Sequence, residues 1–115
     1  MELRPVISVR LFTEEKCFGP GVAQLLHGVE KLHSLRAAAA EMGMAYSKAW
    51  TVLRQSRKEL GFELLHSTTG GKNGGGASLT PQAKAFLSAY DAYSAALEKT
   101  SQELFAEHFS QFLSE

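Results

Sequence analysis

Two helical patterns are separated by only three residues, Gly43, Met44 and Ala45, and this junction restricts the fold more than any other feature of the chain. The first pattern, Ser34-Leu-Arg-Ala-Ala-Ala-Ala-Glu-Met, begins with a residue that caps helices and continues with four alanines, which favour helix and permit close packing. Gly43 then ends the helix, because glycine accepts the left-handed backbone of the C′ position without strain. The second pattern runs from Tyr46 to Gly61. The sequence therefore predicts two short helices joined by a tight turn.

The helix predicted from Tyr46 onward has two different faces. Its apolar positions recur at helical spacing, so we expect an inner side made of Met44, Ala49, Val52, Leu53 and Leu60. The outer side then holds Tyr46, Ser47, Lys48, Thr51, Arg54 and Lys58. This pattern indicates a polar and basic helix face that is rich in hydrogen-bonding groups.

The segment before these helices is predicted to contain a strand and a further helix. The β-branched and aromatic run at residues 6–12 predicts the strand, and a Gly-Pro-Gly sequence at 19–21 interrupts it. Apolar residues then recur at helical spacing from Val22, so that a first helix is expected to reach about Leu32.

A glycine-rich stretch, residues 69–79, follows a strand predicted at residues 62–66 and surrounds Lys72. It holds five of the ten glycines of the chain, which raises the question of a phosphate-binding loop. A Walker A loop requires Gly-Lys followed by Ser or Thr, whereas Lys72 is followed by Asn73. No register of the stretch supplies the glycine spacing of a dinucleotide fingerprint. The sequence of this loop therefore argues against a nucleotide-binding enzyme, which stays the least favoured interpretation of the chain.

The segment after this loop completes a hairpin and begins the last helix. Leu79 is expected to close the hairpin, and Thr80-Pro81 is a strong helix start because threonine caps and proline fits the first position. Two short helices followed by a hairpin are typical of a winged helix-turn-helix, whose second helix enters the DNA major groove. We expect a mainly α fold with a small β-hairpin: helix-turn-helix at about 22–61, wing at about 62–79 and a long C-terminal helix at about 81–113.

The composition is consistent with one domain that spans residues 1–115. Apolar residues make up 44% of the chain, and its single cysteine, Cys17, cannot form a disulfide within it. Charged residues near the N-terminus leave no apolar core for a signal peptide, and no run is long enough to span a membrane. We therefore expect a cytoplasmic protein that does not associate with membranes.

The net charge is zero, which argues against a nucleic-acid partner, but the charges are unevenly distributed. Residues 44–80 hold five Lys or Arg against two Glu, whereas the segment from Glu98 to the end holds one Lys against four Glu. Such asymmetry can place a basic surface on a neutral protein. Ordinary solvated helix faces would give the same distribution, so the charges alone leave both interpretations open.

Three stretches of the chain resemble the DNA-binding domain of ModE-type, molybdate-responsive transcriptional regulators. They are residues 34–43, 44–50 and 69–80, and the likeness extends over about residues 21–93. The helix-turn-helix part is also similar to that of LysR-type regulators. The resemblance implies a winged-helix fold, operator binding, and homodimerisation through helices outside the DNA-reading unit.

The residues expected to contact double-stranded DNA lie on the outer helix face and in the glycine-rich loop: Tyr46, Ser47, Lys48, Trp50, Thr51, Arg54, Lys72 and Asn73. Tyr46 either binds a phosphate or packs on the first helix, and Trp50 either donates its N–H to a phosphate or serves in packing. A homodimer is expected to form through apolar positions of the last helix: Phe86, Tyr90, Tyr93, Leu97 and Leu104. No catalytic group, metal site or cofactor is expected, because the four histidines are scattered and no nucleophile has a partnered base.

The chain departs from the ModE-type pattern at several positions. Ala45 stands where the family has serine, so the helix that follows is expected to lack a side-chain cap. Asn73 replaces a glycine, and the order Ser47-Lys48 differs from that of the best-known members. In full-sized members the molybdate site lies in C-terminal oxyanion-binding domains, and this chain ends before one could form, so molybdate binding is not expected. The alternative function is a winged-helix protein-interaction module that does not bind DNA, which the neutral net charge favours.

Overall fold

Four helices and two antiparallel strand pairs make up the part of the chain that the computed structural model describes, residues 2–68 and 76–113. In chain order they are β1 (Leu11–Phe12), β2 (Lys16–Phe18), α1 (Pro20–Leu32), α2 (Leu35–Glu41), α3 (Tyr46–Leu60), β3 (Leu65–Thr68), β4 (Gly76–Leu79) and α4 (Pro81–Phe109), followed by a single 3-10 turn at Ser110–Phe112. The helices α2 and α3 form the helix-turn-helix, and β3 and β4 form the wing. The predicted fold class, a mainly α winged helix-turn-helix with a long C-terminal helix, is confirmed.

The ends of the two central helices follow from local chemistry. The Ser34 hydroxyl accepts the N–H of Ala37 at 3.0 Å and caps α2, as predicted. Gly43 and Gly61 take positive φ angles of 67° and 82° after α2 and α3, a backbone region in which other residues are strained. No side chain caps α3, because its N-cap residue is Ala45. The missing cap expected from the sequence is therefore confirmed.

The small residues of α2 allow it to pack closely on α1. A Cβ placed on Gly28 of α1 would lie 2.8 Å from the Cβ of Ala38, a distance that real Cβ atoms do not reach. The core grows outward from this contact and includes the fully buried side chains Phe18, Leu25, Leu26 and Val29. The alanine-rich sequence of α2 thus sets the spacing of the two helices.

The N-terminal strand prediction is largely wrong. Of residues 6–12, only Leu11–Phe12 form a strand, and they pair with β2, which was not predicted. Val6 and Ile7 are exposed, and the Val9 carbonyl accepts a side-chain hydrogen bond instead of a strand partner's N–H. The β propensity of these residues reflects how well they fit a pleated surface, and no neighbouring strand supplies that surface here.

The wing begins later than the predicted strand at 62–66. The carbonyls of Glu63 and Leu64 accept the hydroxyl and the N–H of Thr80 at 2.7 and 3.0 Å, so they anchor the start of α4 and do not join a ladder. The strands pair from Leu65 opposite Leu79 to Thr68 opposite Gly76. The predicted closing role of Leu79 is confirmed.

A backbone contact fastens the wing to the helix-turn-helix. The N–H of Ala77 in β4 donates to the carbonyl of His33 at 3.0 Å. His33 ends α1 with a left-handed φ of 58°, which directs its carbonyl away from the helix axis toward the wing. The turn between α1 and α2 therefore positions the base of the hairpin.

The first part of α4 packs on the core, and the second part extends beyond it. Thr80 accepts the N–H of Ala83 at 3.0 Å, so the predicted threonine cap with proline at the first position is confirmed. Ala83, Leu87 and Tyr90 are buried, whereas no residue of α4 after Tyr90 is. Since α4 is about 43 Å long at about 1.5 Å per residue, it makes the molecule elongated, with extents of 59 × 29 × 21 Å. Of the helices described, none combines the length and apolar character needed to cross a membrane.

Candidate nucleic-acid interface

The exposed face of α3 is polar, basic and almost free of acidic groups. Four predicted contact residues, Ser47, Lys48, Thr51 and Arg54, are exposed along it, together with Gln55 and Lys58. The predicted inner side holds as well, since Ala49 and Leu53 are buried and Met44, Val52 and Leu60 half-buried. The acidic residue of α3, Glu59, accepts a hydrogen bond from the hydroxyl of Thr13 near the C-terminal end of the helix. The structure therefore brings these four predicted residues onto one continuous surface.

Side chains on this surface differ in how they can reach DNA. Ser47, Thr51, Arg54 and Lys58 are three or four residues apart and form one stripe along α3, while Lys48 lies further round the helix. The Thr51 hydroxyl donates to the carbonyl of Ser47 at 3.0 Å. Because the hydroxyl proton is engaged in this hydrogen bond, Thr51 can offer a base edge only its methyl group and the lone pairs of its oxygen.

Gln55 is a candidate contact residue that the sequence analysis missed. It is exposed, and it lies one turn after Thr51 on the outward face. Glutamine can hydrogen-bond adenine through two atoms at once in the major groove. The same helical spacing that identified Thr51 could have found Gln55.

A groove of about 860 Å³ runs beside this face, between α3, the start of α2 and the wing. On the α3 side it is lined by Tyr46, Trp50, Arg54 and Arg57, which are three or four residues apart. Trp50 is 37% exposed, and its ring and that of Tyr46 meet edge to face at a centroid distance of 6.2 Å. Trp50 and Tyr46 therefore pack on each other at the rim of the groove.

Three arginines line the groove, and each has different contacts. The guanidinium of Arg36, from α2, lies over the Tyr46 ring with its carbon 4.1 Å from the ring centre. Arg57 pairs with Glu63 at 3.3 Å. Arg54 makes no ion pair or side-chain hydrogen bond with any residue that the structure describes. Neither Arg36 nor Arg57 was predicted to contact DNA, and helical spacing within α2 or α3 does not show which residues they contact.

The predicted loop contacts, Lys72 and Asn73, lie outside the residues that the structure describes. The strands that lead to them, β3 and β4, border the groove through Ser67, Gly76 and Ala77.

Within the described ranges, no three His, Cys, Asp or Glu side chains are grouped so that they could hold a metal ion.

Two of the residues predicted to form a dimer contact pack inside the chain itself. Phe86 and Tyr90 surround Phe18, with ring centroids 4.8 and 4.9 Å from it, and the Tyr90 hydroxyl donates to the Val9 carbonyl at 2.7 Å. Only 7% of Tyr90 is exposed. Tyr93 and Leu104 are 55% and 48% exposed, and Leu97 is half-buried. The surface available to a partner therefore begins after Tyr90.

Comparison with known proteins agrees with this arrangement. Residues 23–84 match the model of the family described as bacterial regulatory helix-turn-helix protein, lysR family. Over 86 residues, which are 75% of this chain, the sequence is 36% identical to the transcriptional regulator ModE of Haemophilus influenzae and covers 32% of that protein. It is also 36% identical over 75 residues, 65% of the chain, to the molybdenum-pterin-binding protein MopB of Rhodobacter capsulatus, and covers 28% of it.

A third relative, the molybdenum transport protein ModE of Herbaspirillum seropedicae, is 35% identical over 66 residues, 57% of the chain and 24% of that protein. The chain thus spans about a third or less of the length of each of these curated relatives. The resemblance to ModE-type regulators that the sequence motifs indicated is confirmed. Since the family match extends over more than half of its residues, the chain belongs to the lysR family of bacterial regulatory helix-turn-helix proteins.

Proposed function

We propose that this chain binds operator DNA as the DNA-reading part of a transcriptional regulator. The observation that carries the proposal is the exposed face of α3, where Lys48, Arg54 and Lys58 are accompanied by neutral hydrogen-bonding side chains and by no acidic group. A surface of this kind attracts phosphates and can also read base edges. Membership of a family of regulatory helix-turn-helix proteins supports the same function.

The geometry suits insertion of α3 into the major groove. An α-helix with its side chains is about 10–12 Å wide, which the major groove of about 12 Å admits. In that position Ser47, Thr51, Arg54 and Gln55 face the base edges. The wing then lies beside the adjoining backbone, where Lys72 is expected to neutralise a phosphate and Asn73 to allow a tight loop. Both wing contacts stay predictions.

We further propose that the chain acts as a homodimer held together by the second half of α4. The exposed apolar side chains there include Tyr93, Leu104 and Phe109, and Leu97 lies between the first two. A second copy of the same surface, related by a two-fold axis, would cover them. Two copies of α3 would then meet half-sites about one DNA turn, or a multiple of it, apart.

The remaining expectations are narrower than the family assignment. Cytoplasmic location and the absence of enzymatic activity are consistent with a regulatory protein and stay predictions. Two relatives carry molybdenum in their names, but the chain matches a third or less of their length. That these residues do not themselves bind molybdate also stays a prediction.

A protein-interaction module without DNA binding is the second candidate, and the net charge of zero favours it. A salt titration separates the two. If the chain binds DNA through phosphates, log affinity for duplex DNA falls linearly with log salt concentration, with a slope of about −0.9 for each phosphate neutralised. The measurement is fluorescence anisotropy of labelled duplexes at salt concentrations from about 50 to about 200 mM. Over this range a protein with several phosphate contacts loses orders of magnitude in affinity. No binding at the lowest salt would reject the DNA function and favour the interaction module.

A further inference from the structure

Arg36 lies where the two helices of the helix-turn-helix meet. It is the second residue of α2, and its guanidinium carbon lies 4.1 Å from the centre of the ring of Tyr46, the first residue of α3. Arg36 is exposed and lines the same groove as Trp50 and Arg54. The contact therefore joins α2 to α3 across the turn at Gly43, at the end of α3 that would enter DNA first.

The position of Arg36 over the Tyr46 ring leaves hydrogen-bonding groups of the guanidinium available. The ring attracts the cation electrostatically, and the guanidinium carries five N–H donors in a planar fork. Among the residues that the structure describes, none forms an ion pair or a side-chain hydrogen bond with Arg36. Two other cations are paired, since Lys31 contacts Glu41 and Arg57 contacts Glu63. Arg36 is thus held in place without being neutralised.

Holding a long cation in place favours binding of an anion. A free arginine loses rotamer freedom when it is fixed on a ligand, and a side chain that is already ordered loses less. An exposed contact between a cation and an aromatic ring corresponds to a factor of about two to five in an equilibrium constant. The planar fork of a guanidinium also matches two oxygens of a phosphate.

We propose that Arg36 binds a backbone phosphate beside the major groove that α3 enters, and that Tyr46 is a positioning residue that acts through its ring. This inference rests on the proposed DNA function and deepens it. It assigns the contact to a cation that the sequence pattern did not single out, and it gives Tyr46 a role that does not need its hydroxyl. Because phosphates carry no sequence information, Arg36 strengthens binding to every duplex alike.

The test compares four single variants and one double variant in duplex binding over a range of salt concentrations. R36A should weaken binding to all sequences by a similar factor, on the order of ten-fold, and should lower the salt slope by about 0.9 for each half-site. Y46F keeps the ring and should bind like the wild type. Y46L keeps the cation and loses the ring, so it should bind about two- to five-fold more weakly with an unchanged salt slope. R36K keeps the charge and loses the planar fork, so it should also bind more weakly with an unchanged salt slope. The double variant R36A/Y46L should bind no more weakly than R36A.

K31A is the matched control, because it removes one exposed positive charge from α1, outside the groove. It should leave affinity and salt slope near the wild-type values. Thermal unfolding identifies any loss of fold in Y46L. In that case R36K tests whether binding needs the guanidinium, since its substitution is at an exposed position. If Y46F loses as much affinity as Y46L, or if R36A leaves the salt slope unchanged, the assignment is wrong although the chain still binds DNA. Failure of the wild type to bind duplex DNA rejects the proposed function itself and this inference with it.

Discussion

Arg54 and Arg57 lie three residues apart on α3 and line the same groove, yet their surroundings differ. Arg57 shares its charge with Glu63 at 3.3 Å, and both side chains are about half exposed or more. Exposed ion pairs of this kind contribute little to stability, but the carboxylate competes with a phosphate for the same guanidinium. Arg54 has no such competitor among the described residues and also lies on the outward stripe. Helical spacing places Arg54 and not Arg57 on the outward stripe, and the position of Glu63 adds a second difference between them.

We therefore expect Arg54→Ala and Arg57→Ala to have different effects on DNA recognition. Arg54→Ala should change which sequences are preferred and cost about 1 to 3 kcal/mol at a contacted base pair. Arg57→Ala removes the same charge from the same helix and serves as the comparison, and it should cost less and leave the preference intact. Selection from a randomised duplex pool, followed by affinity measurements, gives both quantities. An equal or larger loss for Arg57→Ala would show that Glu63 does not restrain it.

The helix pair α1 and α2 shows how sequence sets packing between elements. Gly28 faces Ala38 so closely that a methyl group on Gly28 would lie 2.8 Å from the Ala38 Cβ. Gly21 is in the same helix, but nothing lies within 4 Å of the position its Cβ would take. The two glycines are therefore alike in backbone conformation and opposite in surroundings.

Gly28→Ala should destabilise the fold, because the overlap forces α1 and α2 apart, and we expect a cost of about 1 to 3 kcal/mol. Gly21→Ala makes the same chemical change without the overlap, and it should be neutral or stabilise by up to about 1 kcal/mol, since alanine favours helix over glycine. Denaturant unfolding of the two variants beside the wild type measures both values. A Gly28→Ala variant as stable as Gly21→Ala would mean that the helix contact is looser than the structure shows.

For the molecule as a whole, the second half of α4 is the apolar surface that the rest of the fold leaves uncovered. No residue of α4 after Tyr90 is buried, although Tyr93, Leu104 and Phe109 are large and apolar. The rings of Phe105 and Phe109 stack at a centroid distance of 5.2 Å and add to the same end of the helix. A helix end of this composition is expected to associate with another surface rather than remain in water.

We expect the chain to sediment as a dimer at micromolar concentration, and Tyr93→Glu with Leu104→Glu to convert it to a monomer. Burying one large apolar side chain contributes about 1.5 to 3 kcal/mol, and in a symmetric dimer each substitution acts twice. Phe12→Glu is the control, because Phe12 is 62% exposed but lies in β1, away from α4. Sedimentation of the wild type as a monomer, with and without duplex DNA, would contradict the proposed assembly. Dissociation by Phe12→Glu as well would place the interface elsewhere.

The parts of the fold that were predictable depend on residues close together in the chain. Ser34 and Thr80 cap helices through groups three residues away, and Gly43 and Gly61 end helices through their own backbone angles. Such interactions have the same outcome wherever the helix lies, so the bounds of α2 and α3, the start of α4 and the outward face of α3 could be derived from patterns alone. The end of α4, predicted at about 113, lies at Phe109, where no capping residue marks it in the sequence.

Other features depend on which distant segments meet. The spacing of Phe86, Tyr90 and Tyr93 is uniformly helical. However, Tyr90 is buried and its hydroxyl donates to a carbonyl 81 residues earlier, while Tyr93 is exposed. The stacking of Arg36 on Tyr46 likewise arises from the crossing of two helices, which no spacing within either helix encodes. A periodic pattern identifies the apolar or charged side of an element, whereas burial and charge pairing depend on what packs against that side. The sequence alone therefore determined the helices and the outward face of α3. Tertiary packing decided which aromatic residues form the core and which arginines carry an ion pair.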